Sequence, residues 1–131
     1  MKLIAIFLLS LVAGSVSASP CDGVDRSLNE SRKTQLAPVV AKQLNIDSVE
    51  ILQSFRYRTW YIIYVNTHVS DEAFLFFNDD PLRSKYLTAW SGGAARHEEP
   101  EIKNWVFKNA KGIPSQLAGC FAWHVTKDRD L

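Results

Sequence analysis

The segment TWYIIYVN, residues 59–66, constrains the fold most, because it is apolar on both of its alternating faces. Successive side chains of a strand point to opposite sides of a sheet. The two faces of this segment carry Trp60, Ile62 and Tyr64 on one side and Tyr61, Ile63 and Val65 on the other. Such a strand lies inside a sheet that is covered on both sides, or keeps one face for a partner.

Two amphipathic helices are predicted around this strand. The first carries Leu36, Val39, Val40 and Leu44 at helical spacing, with a proline at Pro38 that must lie in the first turn or kink the helix, and a left-handed stop at Asn45. Before it, residues 27–30 match a capping box, which predicts an early helical turn. Pro100 opens the second helix, whose apolar stripe is Ile102, Trp105, Val106 and Ala110, and Gly112 ends it.

Alternating patterns predict the other strands. SVEILQSF (48–55) forms a hairpin with the central strand through residues 56–59, and AFLFF (73–77) pairs with KYLTAW (85–90) across the turn at residues 78–81. CFAWHV (120–125) alternates as well and is interpreted as a last strand. The predicted order is α-β-β-β-β-α-β, an α+β domain in which two helices pack on an antiparallel sheet of four or five strands.

The first 18 residues are typical of a cleaved secretory signal peptide. One lysine precedes an apolar run from Leu3 to about Val16, and small residues then allow cleavage after Ala18. The apolar run is shorter than the ~20 residues that span a bilayer, so no stable membrane anchor is expected. We therefore expect a single secreted or periplasmic domain over residues 19–131. Lipidation at Cys21 is the alternative, and Pro20 directly before that cysteine disfavours it.

Cys21 and Cys120 are the two cysteines of the chain. In an exported protein they are expected to form a disulfide with each other, since oxidising compartments preserve such bonds. Without the signal peptide the chain has 14 basic and 14 acidic residues. This balance disfavours nucleic acid as a partner.

The stretch HVSDEAFLFFNDDP, residues 68–81, places a histidine and four acidic residues around one aromatic run. Asp71-Glu72 and Asp79-Asp80 bracket a predicted strand of five residues, so the two pairs should lie ~17 Å apart as parts of separate turns. The spacing matches no calcium loop or HExxH motif. We expect no metal and no cofactor here.

Two further histidines have structural interpretations. His97, with Glu98 and Glu99, is expected at a helix start, where negative charge is favourable. His124 is expected to be partly buried and hydrogen-bonded in the last strand. An enzyme in which His68 or His97 acts with a nearby carboxylate remains an alternative.

An aromatic hairpin is the strongest candidate for a binding site. Tyr57, Arg58, Trp60 and Tyr61 cluster there, and Tyr, Trp and Arg dominate the energetics of protein interfaces. The flanking loops add His68, Arg96 and His97. These features favour an exported binding protein, an inhibitor or immunity-type protein that neutralises an envelope hydrolase. The alternatives are a small secreted hydrolase and a small-ligand carrier, and the sequence leaves the oligomeric state open.

Overall fold

The computed structural model describes residue 14 and residues 19–129. The predicted signal peptide and its cleavage site lie outside the described residues, apart from Gly14. Within the described part, none of the helices combines the length and the apolar character needed to cross a bilayer.

The described residues form a small α+β domain, as the sequence predicts. Its elements are α1 (Glu30–Leu44), β1 (Glu50–Tyr57), β2 (Trp60–Asn66), β3 (Ala73–Phe77), β4 (Thr88–Ser91), a 3-10 turn (Arg96–Glu98), α2 (Glu99–Asn109) and α3 (Ser115–Lys127). The four strands form one antiparallel sheet in the order β1-β2-β3-β4. Helix α1 covers one face of the sheet, and α2 and α3 cover the other.

Strand β2 lies between β1 and β3 and contributes to two hydrophobic cores, which confirms the prediction from its two apolar faces. Ile62 and Tyr64 pack with residues of α2 and α3. Ile63 and Val65 pack with Leu36 and other residues of α1. Ile62, Ile63 and Val65 are fully buried. Because each face of β2 meets its own helical layer, the domain has three layers with the sheet in the middle.

Helix α1 ends where the sequence predicts but begins differently. Asn29, and not Ser27, caps the N-terminus: its side-chain oxygen accepts a hydrogen bond from the Arg32 backbone N–H at 2.8 Å. Asn45 ends the helix in the left-handed conformation, with φ 57°. Pro38 lies in the middle of the helix, well beyond the first turn.

The predicted last strand at residues 120–125 is wrong, because this segment belongs to helix α3. Cys120, Phe121, His124 and Val125 are all buried, and their spacing places them on one side of a helix. The segment also satisfies an alternating pattern, with Phe121, Trp123 and Val125 on one face, and a short apolar run does not separate the two periods. The described part of the chain therefore has three α-helices and four strands.

The first hairpin is confirmed, and the connection between the two strands of the second hairpin is longer than predicted. Tyr57 pairs with Trp60 across a tight turn. Strands β3 and β4 also pair, but residues 78–87 connect them and β4 begins only at Thr88. The Gln43 side chain of α1 accepts a hydrogen bond from the Tyr86 N–H at 3.0 Å and donates one to the Ser84 carbonyl at 2.9 Å. These bonds occupy backbone groups that a longer β4 would need.

The predicted disulfide between Cys21 and Cys120 is present, with the two Cα atoms 4.5 Å apart. It joins the segment before α1 to helix α3. Gln116 of the same helix donates to the Asp22 carbonyl at 2.7 Å and reinforces the attachment. A disulfide is compatible with an oxidising, extracellular compartment.

Candidate functional site

The four predicted hairpin residues lie at one end of the sheet, but strand alternation divides them between its two faces. Tyr57 and Trp60 pack against the core formed with α2 and α3. Trp60 is only 9% exposed, and a β-carbon at Gly112 would lie 3.7 Å from its ring. Tyr61 points to the opposite face, towards α1. Trp60 is therefore a core anchor of the hairpin, whereas Tyr57 and Tyr61 are half-buried.

The turn of this hairpin presents Arg58 to solvent. Arg58 has a positive φ of 56°, and both Arg58 and Thr59 are exposed. Its guanidinium carbon lies 5.2 Å from the centre of the Tyr57 ring, a cation–π geometry. Within residues 19–129, Arg58 forms no ion pair. The turn thus carries an exposed cation that is supported by an aromatic ring.

A polar groove lies beside the hairpin on the face towards α1. It encloses about 550 Å³, and its lining residues are Asp25, Ser27, Leu28, Asn29, Arg32, Ser54, Arg56, Tyr61 and Asp80. The guanidinium carbons of Arg32 and Arg56 lie 5.9 and 5.4 Å from the centre of the Tyr61 ring. We call this feature the arginine groove. A guanidinium is a planar fork of donors that matches a carboxylate or a phosphate.

Two carboxylates of the arginine groove are already engaged within the protein. Asp25 accepts a hydrogen bond from the Ser27 hydroxyl at 2.6 Å, which lowers the pKa of this carboxyl. Asp80 lies 3.0 Å from Arg32. Partial burial acts to raise the pKa of Asp80, but the hydrogen bonds from the Leu82 N–H and from Arg32 outweigh it and lower the pKa. Both groups are held as anions.

The acidic residues at the end of β3 build a turn, as the sequence predicts. The Asp79 carboxylate accepts from the Asp80 N–H at 2.7 Å and from Arg83 at 2.9 Å. The Asp80 carboxylate accepts from the Leu82 N–H at 2.9 Å. The hydrogen bond from the Asp80 N–H, followed by that from Arg83, lowers the pKa of Asp79. These carboxylates stabilise the chain reversal directly.

His68, Arg96 and His97 lie at the other end of the sheet. The loop that contains His68 follows β2, and the 3-10 turn that contains Arg96 and His97 follows β4. All three side chains are exposed. Strand β2 has seven residues, so this end lies about 20 Å from the hairpin turn. The structure therefore separates the predicted binding residues into two groups.

The predicted histidine–carboxylate partners form one loose contact. His68 Nε2 lies 3.8 Å from Glu50 Oε2, and both side chains are more than half exposed. His97 lies in the 3-10 turn immediately before α2, which confirms its expected place at a helix start. Among the described residues there is no group of three or more His, Cys, Asp or Glu side chains able to hold a metal ion.

His124, predicted to be partly buried and hydrogen-bonded in a strand, is buried in helix α3, and its Nδ1 forms no hydrogen bond with the described residues. It is 4% exposed, and Nδ1 lies 3.6 Å from a carboxylate oxygen of Asp128. Its ring centre lies 5.0 Å from that of Phe55. Burial, followed by the positive charge of Arg26, lowers the pKa of His124.

Sequence reasoning missed an aromatic cluster around Arg129. Its guanidinium carbon lies 5.7, 5.5 and 5.8 Å from the ring centres of Tyr64, Phe74 and Trp90. Arg129 donates to the Tyr64 hydroxyl at 3.1 Å, and that hydroxyl donates to Glu72. Burial, followed by the bond to Glu72, raises the pKa of Tyr64. No sequence signal links Arg129 to strands so far away along the chain.

No protein-family model, curated protein or solved structure matches this chain. The functional proposal therefore depends on the geometry. The hairpin end combines an exposed arginine, two half-buried tyrosines and the arginine groove, whereas the predicted binding residues at the opposite end, His68, Arg96 and His97, are separate exposed side chains. The hairpin end is the better candidate for recognition of an anionic partner.

Proposed function

We propose that this chain is an exported binding protein that inhibits a hydrolase of the cell envelope by docking its β1–β2 hairpin onto that enzyme. The observation that carries the proposal is Arg58, an exposed cation at a tight turn, backed by the Tyr57 ring. Aromatic and arginine side chains are the usual energetic centres of protein interfaces. The predicted signal peptide and the disulfide support the proposal that the protein is exported.

The hairpin is preorganised for such a role. Strands β1 and β2 pair from Glu50 with Asn66 to Tyr57 with Trp60, and Trp60 anchors the end in a core. The Asp25 backbone adds two hydrogen bonds of 2.8 Å to that of Arg56, so the outer edge of β1 is also held. Because the turn is ordered before binding, association loses less conformational entropy.

The charges at this end favour an acidic partner. Arg32, Arg56 and Arg58 carry three positive charges, and Asp25 and Asp80 offset two of them. Glycoside hydrolases, as a class, use a pair of carboxylates at the active site. An arginine that enters such a cleft gains charge-assisted hydrogen bonds and blocks the substrate. An envelope hydrolase with an acidic cleft therefore fits the hairpin best.

His68, Arg96 and His97 have a secondary place in this proposal. They lie about 20 Å from the hairpin turn. A standard interface buries about 800 Å² on each partner, so a patch of that size centred on Arg58 covers the hairpin end before it reaches these residues. A partner centred on Arg58 contacts the hairpin and the arginine groove first. We therefore expect substitutions at the distant group to weaken binding much less.

The test starts with capture of partners from envelope extract on the immobilised mature protein, identified by mass spectrometry. Binding of the purified partner is then measured for Arg58→Ala and Tyr57→Ala. We expect each to weaken binding at least tenfold, about 1.4 kcal/mol, because each removes one half of the cation–aromatic pair. The melting temperature of Arg58→Ala should change by no more than a few degrees. Tyr57→Ala also loses packing against the core, so its binding is measured at a temperature where it is fully folded.

Arg96→Ala is the matched control, since it removes an exposed arginine at the opposite end of the sheet. We expect it to retain the affinity of the unmodified protein and the inhibition of the captured hydrolase. Equal losses in Arg96→Ala and Arg58→Ala would show a general charge effect and would contradict the proposal. A hydrolytic turnover by the protein itself that disappears in His68→Gln would support the enzyme alternative instead.

A further inference from the structure

A second groove lies between helix α1 and the connection from β3 to β4. It encloses about 720 Å³, and its lining residues are Val39, Lys42, Gln43, Pro81, Leu82, Arg83, Ser84, Lys85 and Tyr86. We call it the α1 groove. It shares no lining residue with the arginine groove. Its volume is in the range of about 300–1,000 Å³ that is typical of small-molecule sites.

The polar lining of the α1 groove is positively charged. Lys42, Arg83 and Lys85 contribute three cations, and no carboxylate of the described residues belongs to the lining. Arg83 is paired with Asp79 at 2.9 Å. Lys42 and Lys85 are exposed and form no ion pair within residues 19–129. The groove therefore offers two ammonium groups to an anion.

Four of the six remaining lining residues are apolar or aromatic, and the other two are Gln43 and Ser84. Leu82 is 41% exposed, although it is large and apolar. Val39 and Tyr86 are half-buried, and Pro81 is buried. Exposed apolar surface is unfavourable in water, so a ligand that covers it gains free energy in proportion to the area covered.

Hydrogen bonds hold the two walls of the α1 groove together. Gln43 Nε2 donates to the carbonyls of Ser84 and Pro81 at 2.9 and 3.4 Å, and Gln43 Oε1 accepts from the Tyr86 N–H. The Ser84 hydroxyl donates to the carbonyls of Asp79 and Asp80, both at 3.0 Å. The connection is therefore fixed against α1, and a ligand meets a preformed groove.

We infer that the α1 groove binds a small amphipathic anion with a single carboxylate or phosphate head and an apolar chain. Lys42 and Lys85 bind the head, and the chain covers Leu82 and Val39. The pairing of unneutralised cations with exposed apolar side chains selects this chemistry, since a purely polar anion leaves Leu82 in water. The site is separate from the hairpin and functions without the proposed protein partner.

The test uses decanoate as the probe, below its micelle-forming concentration, with the folded protein and isothermal titration calorimetry. We expect saturable binding of one decanoate per chain, and no comparable binding of acetate, which lacks the chain, or of decanol, which lacks the charge. Chemical-shift changes should concentrate at residues 39–43 and 81–86. Binding of the anionic chain only as part of a phospholipid vesicle would identify a membrane surface and would overturn the small-ligand proposal.

Variants localise the binding. We expect Lys42→Gln with Lys85→Gln to weaken decanoate binding at least tenfold. The matched control, Lys108→Gln with Lys111→Gln, removes two exposed lysines outside the groove and should leave the affinity unchanged. Equal affinities of the two double variants, or the absence of saturable binding to the unmodified protein, would refute the inference. Melting curves of both variants verify that they are folded.

Discussion

Reduction of the Cys21–Cys120 disulfide is a sharp test of what stabilises this domain. The two cysteines are 99 residues apart. In the chain-entropy model, a bond that closes a loop of about 100 residues destabilises the unfolded state by about 4.7 kcal/mol. Typical domains have a free energy of unfolding of about 5–15 kcal/mol. One covalent bond therefore accounts for a large share of the stability.

The native contacts around the bond are expected to survive reduction. Cys120 is fully buried, and its thiol keeps the same neighbours. The segment after Cys21 stays attached through the Asp25–Arg56 backbone bonds and the bond from Gln116 to Asp22. The effect therefore acts mainly on the unfolded chain, which becomes less restricted.

Urea unfolding of the oxidised and reduced protein measures the effect. With a urea m value of about 1–3 kcal/mol/M, the midpoint should fall by at least about 1.5 M on reduction. Cys21→Ser is the control: its midpoint should resemble that of the reduced protein and should not respond to reductant. If reduction lowers the free energy of unfolding by less than about 1 kcal/mol, the prediction is refuted. Such a result would mean that the unfolded chain keeps its ends close without the bond.

Two further predictions concern the turn and the buried histidine. Asp80→Ala should lower the free energy of unfolding by about 1–2 kcal/mol, and Asp79→Ala should lower it by less. The reason is that the Asp80 side chain is 15% exposed, whereas that of Asp79 is 49% exposed. Denaturant unfolding measures both losses, and equal losses would contradict the assigned hydrogen bonds. The lowered pKa of His124, which faces Arg26, Asp128 and Arg129, means that the unfolded state binds a proton more readily. His124 should therefore not reduce the free energy of unfolding above about pH 6.5. The free energy of unfolding should decline as the pH falls from there towards the lower folded-state pKa of His124. His124→Gln should reduce this decline and the exposed control His97→Gln should not; equal pH profiles for His124→Gln and the unmodified protein would show that other groups cause it.

Local signals predicted much of the fold correctly. The tight hairpin, the helix stop at Asn45, the helix start near Pro100 and the disulfide each depend on a few neighbouring residues. The error at residues 120–125 arose because that short run satisfies both the strand and the helix period. The late start of β4 depends on Gln43, which lies more than 40 residues away in the chain.

The candidate site was predictable only in part. The hairpin was recognisable from its composition, and the division of Tyr57 and Trp60 from Tyr61 follows from strand alternation. Arg32, which completes the arginine groove, comes from a helix on one face of the sheet, and local spacing carries no information about its approach to Tyr61. To predict that His68 and His97 lie far from the hairpin, the order of the strands in the sheet has to be known.

The two-sided burial of β2 has a consequence for how the sequence can vary. Leu36 and Phe121 are both fully buried, but they belong to different cores, with the sheet between them. Substitutions that do not share packing neighbours usually have additive effects on stability. Each helical layer is therefore free to accumulate compensating substitutions without a matching change in the other layer. Strands β2 and β3 each contribute buried residues to both cores and have to fit the two layers at once, so they are the segments least free to diverge.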